Sequence, residues 1–328
     1  MPGNIMEPIA RTFDPAASTD VPEFSVIITC YYEERSIDEF HARLSKALEP
    51  LGRTYEIIFV NDGSTDKTFE KHRAIFERDP HVSTIIDLFK NTGQAAAMTA
   101  GFKHARGKSF IFMDSDLQLD PAELPLLIAK YDEGYDVVSG FRKDRRDSLF
   151  RILPSKIANV IMRKVSKSNL TDFGCTFKVY DARLIRAFDY GPFKAWAPAY
   201  VIAQAQRVAE IPITHHPRKY GKSGWTFRKL FAYNMENLVG LTDRPFQILS
   251  IVCLFLAFAF VVRLSADWVL PFSIMSKISN GLVLNVLVFT FLLTLSVLAA
   301  IGEFLIRSYY MLQRHPVYII RTILQKTI

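Results

Sequence analysis

Short apolar runs alternate with amphipathic segments through the first part of the chain. Runs rich in β-branched and aromatic side chains predict strands at residues 24–30, 55–60, 82–88, 109–113 and 136–139. Between these runs, apolar residues recur at helical spacing and predict helices at 36–49, 66–78, 93–106 and from 120 onwards. Such alternation predicts an α/β fold with a mostly parallel sheet that helices cover on both faces.

Residues with capping character stand at the predicted helix starts. Ser36 and Glu39 have the spacing of a capping box. Asp66 precedes the second helix as a candidate N-cap, and Asp120 followed by proline has the same character at the fourth. Pro50 is expected to end the first helix. These signals fix where the helices should begin and where the first should stop.

Two long apolar runs in the last third of the chain differ from this pattern. Residues 248–262 and 281–301 contain no charged side chain, and the second run has the length of a membrane span. The first run reaches that length if it begins at Pro245 and Arg263 snorkels at its end. We therefore predict a C-terminal two-helix transmembrane anchor with a short loop. A pair of buried core helices is the alternative.

Basic residues flank this predicted anchor and are sparse in its loop. Those before it are Arg218, Lys219, Lys222, Arg228, Lys229 and Arg244, and those after it are Arg307, Arg314, Arg321 and Lys326. The loop has only Arg263 and Lys277. The positive-inside bias predicts a multi-pass membrane protein whose large domain and C-terminal tail are cytoplasmic. The net charge of +7 also suits an anionic lipid surface.

Two segments combine an apolar and a basic face at helical spacing, residues 148–167 and 226–244. Each is predicted to be an amphipathic helix in the membrane interface, with packing on the soluble core as the alternative. The predicted organisation follows in chain order: a flexible tail 1–22, an α/β domain 23–225 that includes the first interfacial helix, the second interfacial helix 226–244, the anchor 245–306 and a cytoplasmic tail 307–328.

The three cysteines of the chain, Cys30, Cys175 and Cys253, are far apart and match no metal-binding spacing. An odd number of separated cysteines is typical of free thiols in a reduced compartment. We therefore expect no disulfide framework.

Polar clusters follow the predicted strands, at the edge of the sheet where α/β proteins bind their ligands. They are Tyr31-Tyr32-Glu33, Asn61-Asp62-Gly63-Ser64, Lys90-Asn91 and Asp114-Ser115-Asp116. One crevice at this edge can hold all four. The second cluster is typical of a turn that leads into a helix cap, and the functional interpretation gives Asp62 to donors on a base or ribose. Both interpretations can hold together.

Asp114, Asp116 and Gln118 alternate directly after a predicted strand and can project to one side. Two carboxylates and an amide oxygen suit a divalent cation, Mg2+ or Mn2+, that keeps open positions for phosphate oxygens. An Asp-x-Asp pair alone is weak evidence, because acidic pairs are common in loops. Its position after an apolar strand makes the metal site a stronger hypothesis.

Together these motifs resemble a known family. Asp62-Gly63-Ser64, Asn91-Thr92-Gly93-Gln94 and Asp114-x-Asp116-Leu117-Gln118 resemble the donor half of family 2 glycosyltransferases with a GT-A (Rossmann-like) fold. Further segments resemble the polyprenyl-phosphate glycosyltransferases: Arg142-x-x-Arg145-Arg146-Asp147-Ser148, Asp172-Phe173-Gly174-Cys175 and Arg218-Lys219-Tyr220-Gly221-Lys222-Ser223. The resemblance runs from about residue 24 into the C-terminal tail.

The resemblance implies roles for individual residues. Those implied to bind the nucleotide-sugar, with uridine as the base, are Tyr31, Glu33, Asp62, Gln94 and Asp114. Asp114, Asp116 and Gln118 would hold the metal. The catalytic set would be Asp116, Asp172 and Arg142, with Asp172 shaping the sugar and acceptor pocket. The implied phosphate and acceptor ligands are Arg142, Arg145, Arg151, Arg218 and Ser223. Thr29 and Tyr32 depart from the family pattern in the first loop, where the family usually has Pro and Asn.

The function implied is inverting transfer of one sugar from a UDP-sugar to undecaprenyl or dodecaprenyl phosphate, for lipopolysaccharide or another envelope glycan. The resemblance also implies a location at the bacterial inner membrane and no nucleic-acid partner. It leaves open whether the protein forms a homo-oligomer. Formamido-arabinose, galacturonic acid and glucose all remain open as the sugar. A diacyl-lipid acceptor is the alternative enzyme function. A non-catalytic partner of a lipid-sugar translocation system is the alternative outside enzymes.

Overall fold

The computed structural model describes residues 21–143, 163, 168–188, 198–217, 219–220 and 316–326, together with separate helical positions between 286 and 309. The chain forms two compact units. The first unit contains residues 1–226 and 317–328, and the second contains residues 227–316. The candidate chemistry of the sequence falls mainly in the first unit.

Within the described residues, the first unit is built on a sheet of eight strands. In chain order they are β1 (Phe24–Cys30), β2 (Tyr55–Asn61), β3 (Val82–Leu88), β4 (Ser109–Asp114), β5 (Val137–Arg142), β6 (Lys178–Asp181), β7 (Val208–Ile213) and β8 (Ile320–Gln325). Their order across the sheet is β7-β5-β6-β4-β1-β2-β3-β8.

The described helices of this unit connect and cover the strands. They are α1 (Ile37–Leu48), α2 (Thr68–Arg78), α3 (Gln94–Lys103), α4 (Leu124–Asp132), α5 (Ala182–Arg186) and α6 (Pro198–Gln204). Short 3-10 turns lie at Glu49–Leu51 and Pro121–Glu123.

Strand directions place one set of strand ends along a single edge. β1 runs parallel to β2 and β4, β2 runs parallel to β3, and β5 runs parallel to β7. β6 is antiparallel to both β4 and β5, so β5 has the same direction as β4. The carboxyl ends of β1 to β5 and β7 therefore share one edge, which we call the carboxyl edge. The mostly parallel sheet expected from the sequence is confirmed.

Both faces of the central strands are buried, which explains their continuous apolar runs. On one face, Phe24, Val26 and Ile28 of β1 belong to a core cluster that includes Phe40 and Leu44 of α1. On the other face, α3 approaches so closely that a Cβ on Gly101 would lie 2.4 Å from Ile27. Helices thus cover the sheet on both sides, as the alternation of elements predicted.

Most predicted elements agree with the structure to within a few residues, but the capping box does not form. The Ser36 side chain makes no cap hydrogen bond to α1, and its hydroxyl donates to Glu33 instead. Glu39 pairs with Arg43 and Lys219. The cap predicted at Asp120 does form, since its carboxylate accepts from the amide of Ala122. Asp66 likewise accepts from the amide of Thr68 in the first turn of α2.

Three strands were not predicted: β6, β7 and β8. β8 is the most informative, because it lies in the segment that the sequence suggested was a basic tail. It pairs antiparallel with β3 and forms the edge of the sheet beyond it. The last residues of the chain are therefore part of the first unit.

Among the residues that the structure describes, no helix is both long and apolar enough to cross a membrane. The first predicted span, 248–262, lies outside the described residues, and only separate positions of the second are described. The predicted amphipathic segments 148–167 and 226–244 also lie outside the described residues, apart from residue 163.

Candidate active site

Four loops meet at the carboxyl edge because the strands that precede them are neighbours in register. Cys30 of β1 is opposite Asn61 of β2, and Thr29 is opposite Asp114 of β4. On the far side of β2, Asn61 is opposite Asp87 of β3. The polar clusters that the sequence placed after successive strands therefore lie side by side.

Asp62 is the centre of the contact between two of these loops. Its carboxylate is buried and accepts from the Asn91 side chain at 2.9 Å, from the Thr92 amide at 2.7 Å and hydroxyl at 2.9 Å, and from the Gly93 amide at 2.9 Å. The loop after β3 thus wraps around Asp62. Burial raises the pKa of this carboxyl, and the hydrogen bonds from Thr92 and Gly93 oppose that rise.

The next residue, Gly63, is required by the closeness of that loop. Its φ is +68°, in the left-handed region, and a Cβ there would lie 2.3 Å from the carbonyl carbon of Lys90. Both the backbone conformation and the space exclude a side chain. The turn after β2 and the loop after β3 therefore fit together only with glycine at this position.

Asp114 is the meeting point of three chain segments. One carboxylate oxygen accepts from the side-chain amide of Gln94, at the start of α3, and the other accepts from the Thr176 hydroxyl at 2.8 Å. Gln94 follows the loop that wraps Asp62, so the two carboxylates are linked through residues 91–94. The contact between Gln94 and Asp114 brings together two of the nucleotide-sugar residues that the sequence predicted.

Asp116 lies in a tight loop whose backbone is unusual. Leu117 has a φ of +59°, a conformation that non-glycine residues seldom adopt. The buried Asp116 carboxylate accepts from the amide of Gln118 at 3.1 Å. The Gln118 carbonyl in turn accepts from the His216 amide at 2.8 Å, so the segment after β7 holds the loop in place. Strained backbone of this kind often marks functional sites.

These residues fit a divalent cation that takes part of its shell from a substrate. Among the described residues, no group of three or more histidine, cysteine or acidic side chains is arranged to hold a metal by itself. Asp114 and Asp116 contribute two carboxylates to this part of the carboxyl edge, and the Gln118 side-chain nitrogen donates to the His216 carbonyl at 3.5 Å, so that its side-chain oxygen is not used in this contact. Mg2+ is commonly bound by one or two carboxylates together with substrate phosphates.

The loop after β1 presents aromatic rings and a buried acid. Tyr31 and Tyr32 are about half exposed, and their ring centroids lie 4.5 Å apart in an edge-to-face contact. Tyr32 has a positive φ of 59° and its amide donates to the Ser64 hydroxyl at 3.0 Å. Glu33 is buried, and its carboxylate accepts from Ser36. Exposed rings beside Asp62 offer a stacking surface for a planar base.

Arg142 and Asp172, which the resemblance placed near phosphate and sugar, bind each other. Arg142 Nε and Nη2 donate to the two Asp172 oxygens at 2.7 and 2.8 Å, a bidentate pair in a largely buried position. Glu210 of β7 accepts from the amides of Thr171 and Asp172 at 2.7 and 3.0 Å. These contacts hold Thr171 and Asp172 against the end of β5 and against Glu210 in β7.

A buried lysine, Lys178, also contacts the segment 171–177, and the sequence did not lead us to predict it. Lys178 is only 2% exposed, and its ammonium donates to the carbonyls of Phe173 and Cys175. Burial lowers its pKa. The signal was a lysine inside the apolar run Phe177-Lys178-Val179-Tyr180, a pattern that usually requires a specific partner. Thr176 and Glu210 were also missed, because neither lies in a recognisable motif.

The remaining predictions can be placed only in part. Arg145, Arg151, Arg218 and Ser223 lie outside the described residues. Cys30 and Cys175 are buried free thiols, as expected, and Cys253 also lies outside the described residues. Burial raises the pKa of both described thiols, that of Cys175 to about 11, which keeps them protonated near neutral pH.

Comparison with known proteins adds independent information. Residues 25–190 match the family model described as Glycosyl transferase family 2. Proteins named undecaprenyl-phosphate 4-deoxy-4-formamido-L-arabinose transferase, from Salmonella paratyphi B and Salmonella enteritidis, are each 37% identical to this chain over 237 residues, or 71% of either length. Glucosyl-3-phosphoglycerate synthase from Mycobacterium tuberculosis, solved with Mn2+, UDP and phosphoglyceric acid, has a TM-score of 0.51 and 16% identity, over 68% of this chain and 78% of that one. That last similarity concerns the fold.

Proposed function

Because this chain belongs to glycosyltransferase family 2 and is a glycosyltransferase, we propose that it transfers one sugar from a UDP-sugar to a polyprenyl phosphate, with inversion at the anomeric carbon. The observation that carries the proposal is the joining of the strand-end loops around two carboxylates. Asp62 holds residues 91–93, and Gln94 reaches Asp114. A site assembled in this way suits a ligand with a base, a ribose and a diphosphate.

The donor half of the proposal assigns roles along the carboxyl edge. Tyr31 and Glu33 contact the nucleoside, while Asp62 shapes the nucleotide pocket through the loop that it holds. Asp114, Asp116 and Gln118 hold Mg2+ or Mn2+. A cation held there would supply charge neutralisation for the departing nucleoside diphosphate. Gln94 fixes the orientation of the Asp114 carboxylate through their hydrogen bond.

The acceptor half rests on the charge of the acceptor. A phosphate monoester is anionic at neutral pH, so its oxygen attacks the anomeric carbon without a strong general base. Positioning and charge neutralisation then supply most of the rate enhancement. Arg145, Arg151 and Arg218 supply cations for the two phosphate groups, with Ser223 as a hydrogen-bond donor. Arg142 and Asp172, bound to each other, line the sugar and acceptor pocket.

The relatives' names suggest the acceptor and a first candidate sugar. We propose undecaprenyl or dodecaprenyl phosphate as the acceptor, at the bacterial inner membrane, with the product feeding lipopolysaccharide or another envelope glycan. Formamido-arabinose is the first sugar to test, followed by galacturonic acid and glucose. A diacyl lipid is the alternative acceptor. The intact pair Asp114 and Asp116 argues against the alternative of a non-catalytic partner in lipid-sugar translocation.

The test is a transfer assay with the full-length protein purified in detergent. It is incubated with undecaprenyl phosphate, MgCl2 and a panel of UDP-sugars, and the lipid product is weighed by mass spectrometry. We expect a mass increase of one sugar with one donor of the panel, and none after EDTA is added. Transfer to diacylglycerol but not to undecaprenyl phosphate would replace the acceptor assignment. Absence of any transfer by a well-folded protein would contradict the proposal.

A further inference from the structure

The C-terminal strand holds the residue from which the loop after β3 departs. Phe89, directly after β3, donates its amide to the Ile319 carbonyl at 2.9 Å. Its own carbonyl accepts from Arg321 Nη2 at 2.6 Å, and the Arg321 guanidinium lies 5.2 Å from the centre of the Phe89 ring. Both backbone polar groups of Phe89 are therefore bound by residues 319–321.

A second contact of Arg321 leads into the candidate site through buried groups. Arg321 Nη1 lies 3.4 Å from the buried Asp87 carboxylate, whose other oxygen accepts from Asn61 at 2.7 Å. The Asn61 side-chain oxygen accepts from the Ser64 amide at 3.4 Å, and the Ser64 hydroxyl accepts from the Tyr32 amide. Polar contacts thus connect Arg321 on β8 with the loops after β3, β2 and β1.

The loop that starts at Phe89 is the one that wraps Asp62 and ends at Gln94. The Thr92 and Gly93 amides that bind the Asp62 carboxylate come three and four residues after Phe89, and Gln94, which contacts Asp114, comes five residues after it. In so short a segment, the position of the first residue limits the positions that these groups can reach. Strand β8 pairs with β3 as far as Leu88, the last residue of β3. The C-terminal strand therefore holds the point at which this loop begins.

We propose that Arg321 is a positioning residue for the donor site. By binding Phe89 it fixes the start of the segment 91–94, and by binding Asp87 it fixes Asn61. This inference rests on the proposed function, since it takes the loop 91–94 to be part of the nucleotide-binding surface. Arg321 itself acts through other residues. Arg321 uses Nη2 for the carbonyl and Nη1 for the carboxylate, so the two contacts depend on the fixed spacing of donors in a planar guanidinium, which the point charge of a lysine ammonium does not reproduce.

β8 also carries a matched control at its other end. Lys326 donates its amide to the Ser83 carbonyl and its ammonium to the Asp79 carbonyl, beside the Phe76 ring. These contacts lie at the amino end of β3, away from the carboxyl edge. Lys326→Ala therefore removes a cation and a hydrogen bond from the same strand without touching the loop after β3.

The experiment compares Arg321→Ala, Arg321→Lys and Lys326→Ala in the full-length protein. Hydrogen exchange of the peptide spanning residues 89–94 is measured without ligand, and UDP binding with MgCl2 is measured by calorimetry. We expect Arg321→Ala to speed exchange of this peptide and to weaken UDP binding, each by about tenfold, the size expected for losing a hydrogen bond that involves a charged group. Arg321→Lys should recover part of both losses, and Lys326→Ala should leave both at the wild-type value.

Unchanged exchange in Arg321→Ala would overturn the inference. Equal effects of Arg321→Ala and Lys326→Ala would overturn it too, because they would show that β8 stabilises the sheet edge without positioning the loop. If exchange changes as expected but the wild-type protein does not bind UDP, the proposed donor fails while the positioning of the loop by Arg321 stands. The exchange measurement thus separates this inference from the proposed function.

Discussion

Asp114 and Asp116 are two residues apart but have different surroundings. Asp114 ends β4 and accepts from the side chains of Gln94 and Thr176. Asp116 lies in the loop that follows, beside Leu117 with its positive φ, and accepts from the amide of Gln118. These hydrogen bonds help to fix the orientation of both carboxylates, which suits them to a cation that arrives with the substrate.

Substituting Asp116 tests the metal assignment. We expect Asp116→Asn to lower transfer by at least about 100-fold, equal to roughly 3 kcal/mol, because the departing diphosphate loses charge neutralisation. The measurement is the transfer assay with MgCl2 or MnCl2, together with thermal unfolding to show that the fold is intact. Asp132→Asn, which removes an exposed carboxylate at the end of α4 that pairs with Arg53, is the matched control and should keep full activity. Wild-type turnover by folded Asp116→Asn protein would exclude this residue as a required ligand.

His72 on α2 is a buried titratable group outside the candidate site. It is fully buried against Phe59, with ring centroids 4.8 Å apart, and neither ring nitrogen has a hydrogen-bond partner among the described residues. Burial lowers its pKa to about 3. The folded protein therefore keeps His72 neutral at pH values where the unfolded chain, with an ordinary histidine pKa near 6.5, takes up a proton.

This difference predicts a pH dependence of stability. Because the folded pKa is lowered, the unfolded state binds more protons below pH 6.5, and the free energy of unfolding falls as pH decreases from there towards 3. Between pH 7 and pH 5 we expect His72 to account for a loss of about 2 kcal/mol. Urea unfolding in detergent at several pH values measures this, with His72→Phe as the comparison. Equal pH slopes for the two proteins would show that His72 is not the group responsible.

At the scale of elements, the site depends on how two loops fit together. The turn at Gly63 and the loop 90–93 are in direct backbone contact, and Asp62 binds the second loop through its amides. Each loop taken alone has ordinary turn chemistry. Their mutual fit is what fixes the direction of Gln94 towards Asp114.

Two glycines with nearly equal φ allow the effect of backbone strain to be distinguished from the effect of the contact between the two loops. Gly52, after α1, has a φ of +61° and nothing within 4 Å of an added Cβ, whereas Gly63 has a φ of +68° and a backbone neighbour at 2.3 Å. Gly52→Ala should cost about 1 kcal/mol of stability from left-handed strain alone. Gly63→Ala should cost roughly 2–4 kcal/mol, since overpacking adds to that strain.

The same pair should differ in function. We expect Gly63→Ala to weaken UDP binding, because the loop that holds Gln94 must move, while Gly52→Ala leaves binding unchanged. Chemical denaturation and calorimetric titration measure the two effects. Similar losses of stability in both variants, with UDP binding unaffected, would mean that the contact between these loops is not needed for the nucleotide.

For the whole molecule, the first unit is assembled from both ends of the sequence. β8 comes from residues 320–325 and pairs with β3, although residues 227–316, the second unit, lie between it and the rest of the first unit in the chain. The apolar runs 248–262 and 281–301 belong to that intervening part. If these two runs span the membrane, as the sequence predicts, the chain segments that enter and leave the second unit must lie on the same side of the membrane.

Labelling of introduced cysteines tests this arrangement. In a Cys253→Ser background, Ser276→Cys in the predicted loop should react with a membrane-impermeant maleimide in intact spheroplasts, because this loop has only two basic residues, Arg263 and Lys277. Thr54→Cys, exposed before β2, should react only after the membrane is permeabilised. Protection of Ser276→Cys until permeabilisation would contradict the topology. The native Cys30 and Cys175 are buried and should contribute little background.

The sequence by itself determined the first five strands and the helices between them, as they follow one another along the chain. Strand β1 and strand β3 were predicted with the bounds that the structure shows, because local apolar periodicity and turn residues act over short stretches of chain. The same local signals placed Asp62, Gln94, Asp114 and Asp116 after strands. Since parallel strands end at a common edge, their convergence followed from the pattern.

Only the tertiary structure decided what depends on contacts distant in sequence. The donors around Asp62 come from residues 91–93, and the bidentate pair joins Arg142 to Asp172. β8 shows the same limit, because an alternating edge strand with basic residues is indistinguishable in pattern from a basic tail until β3 offers it unpaired backbone groups. Local propensity selects each element, whereas hydrogen-bond pairing and side-chain contacts between distant segments select its partners.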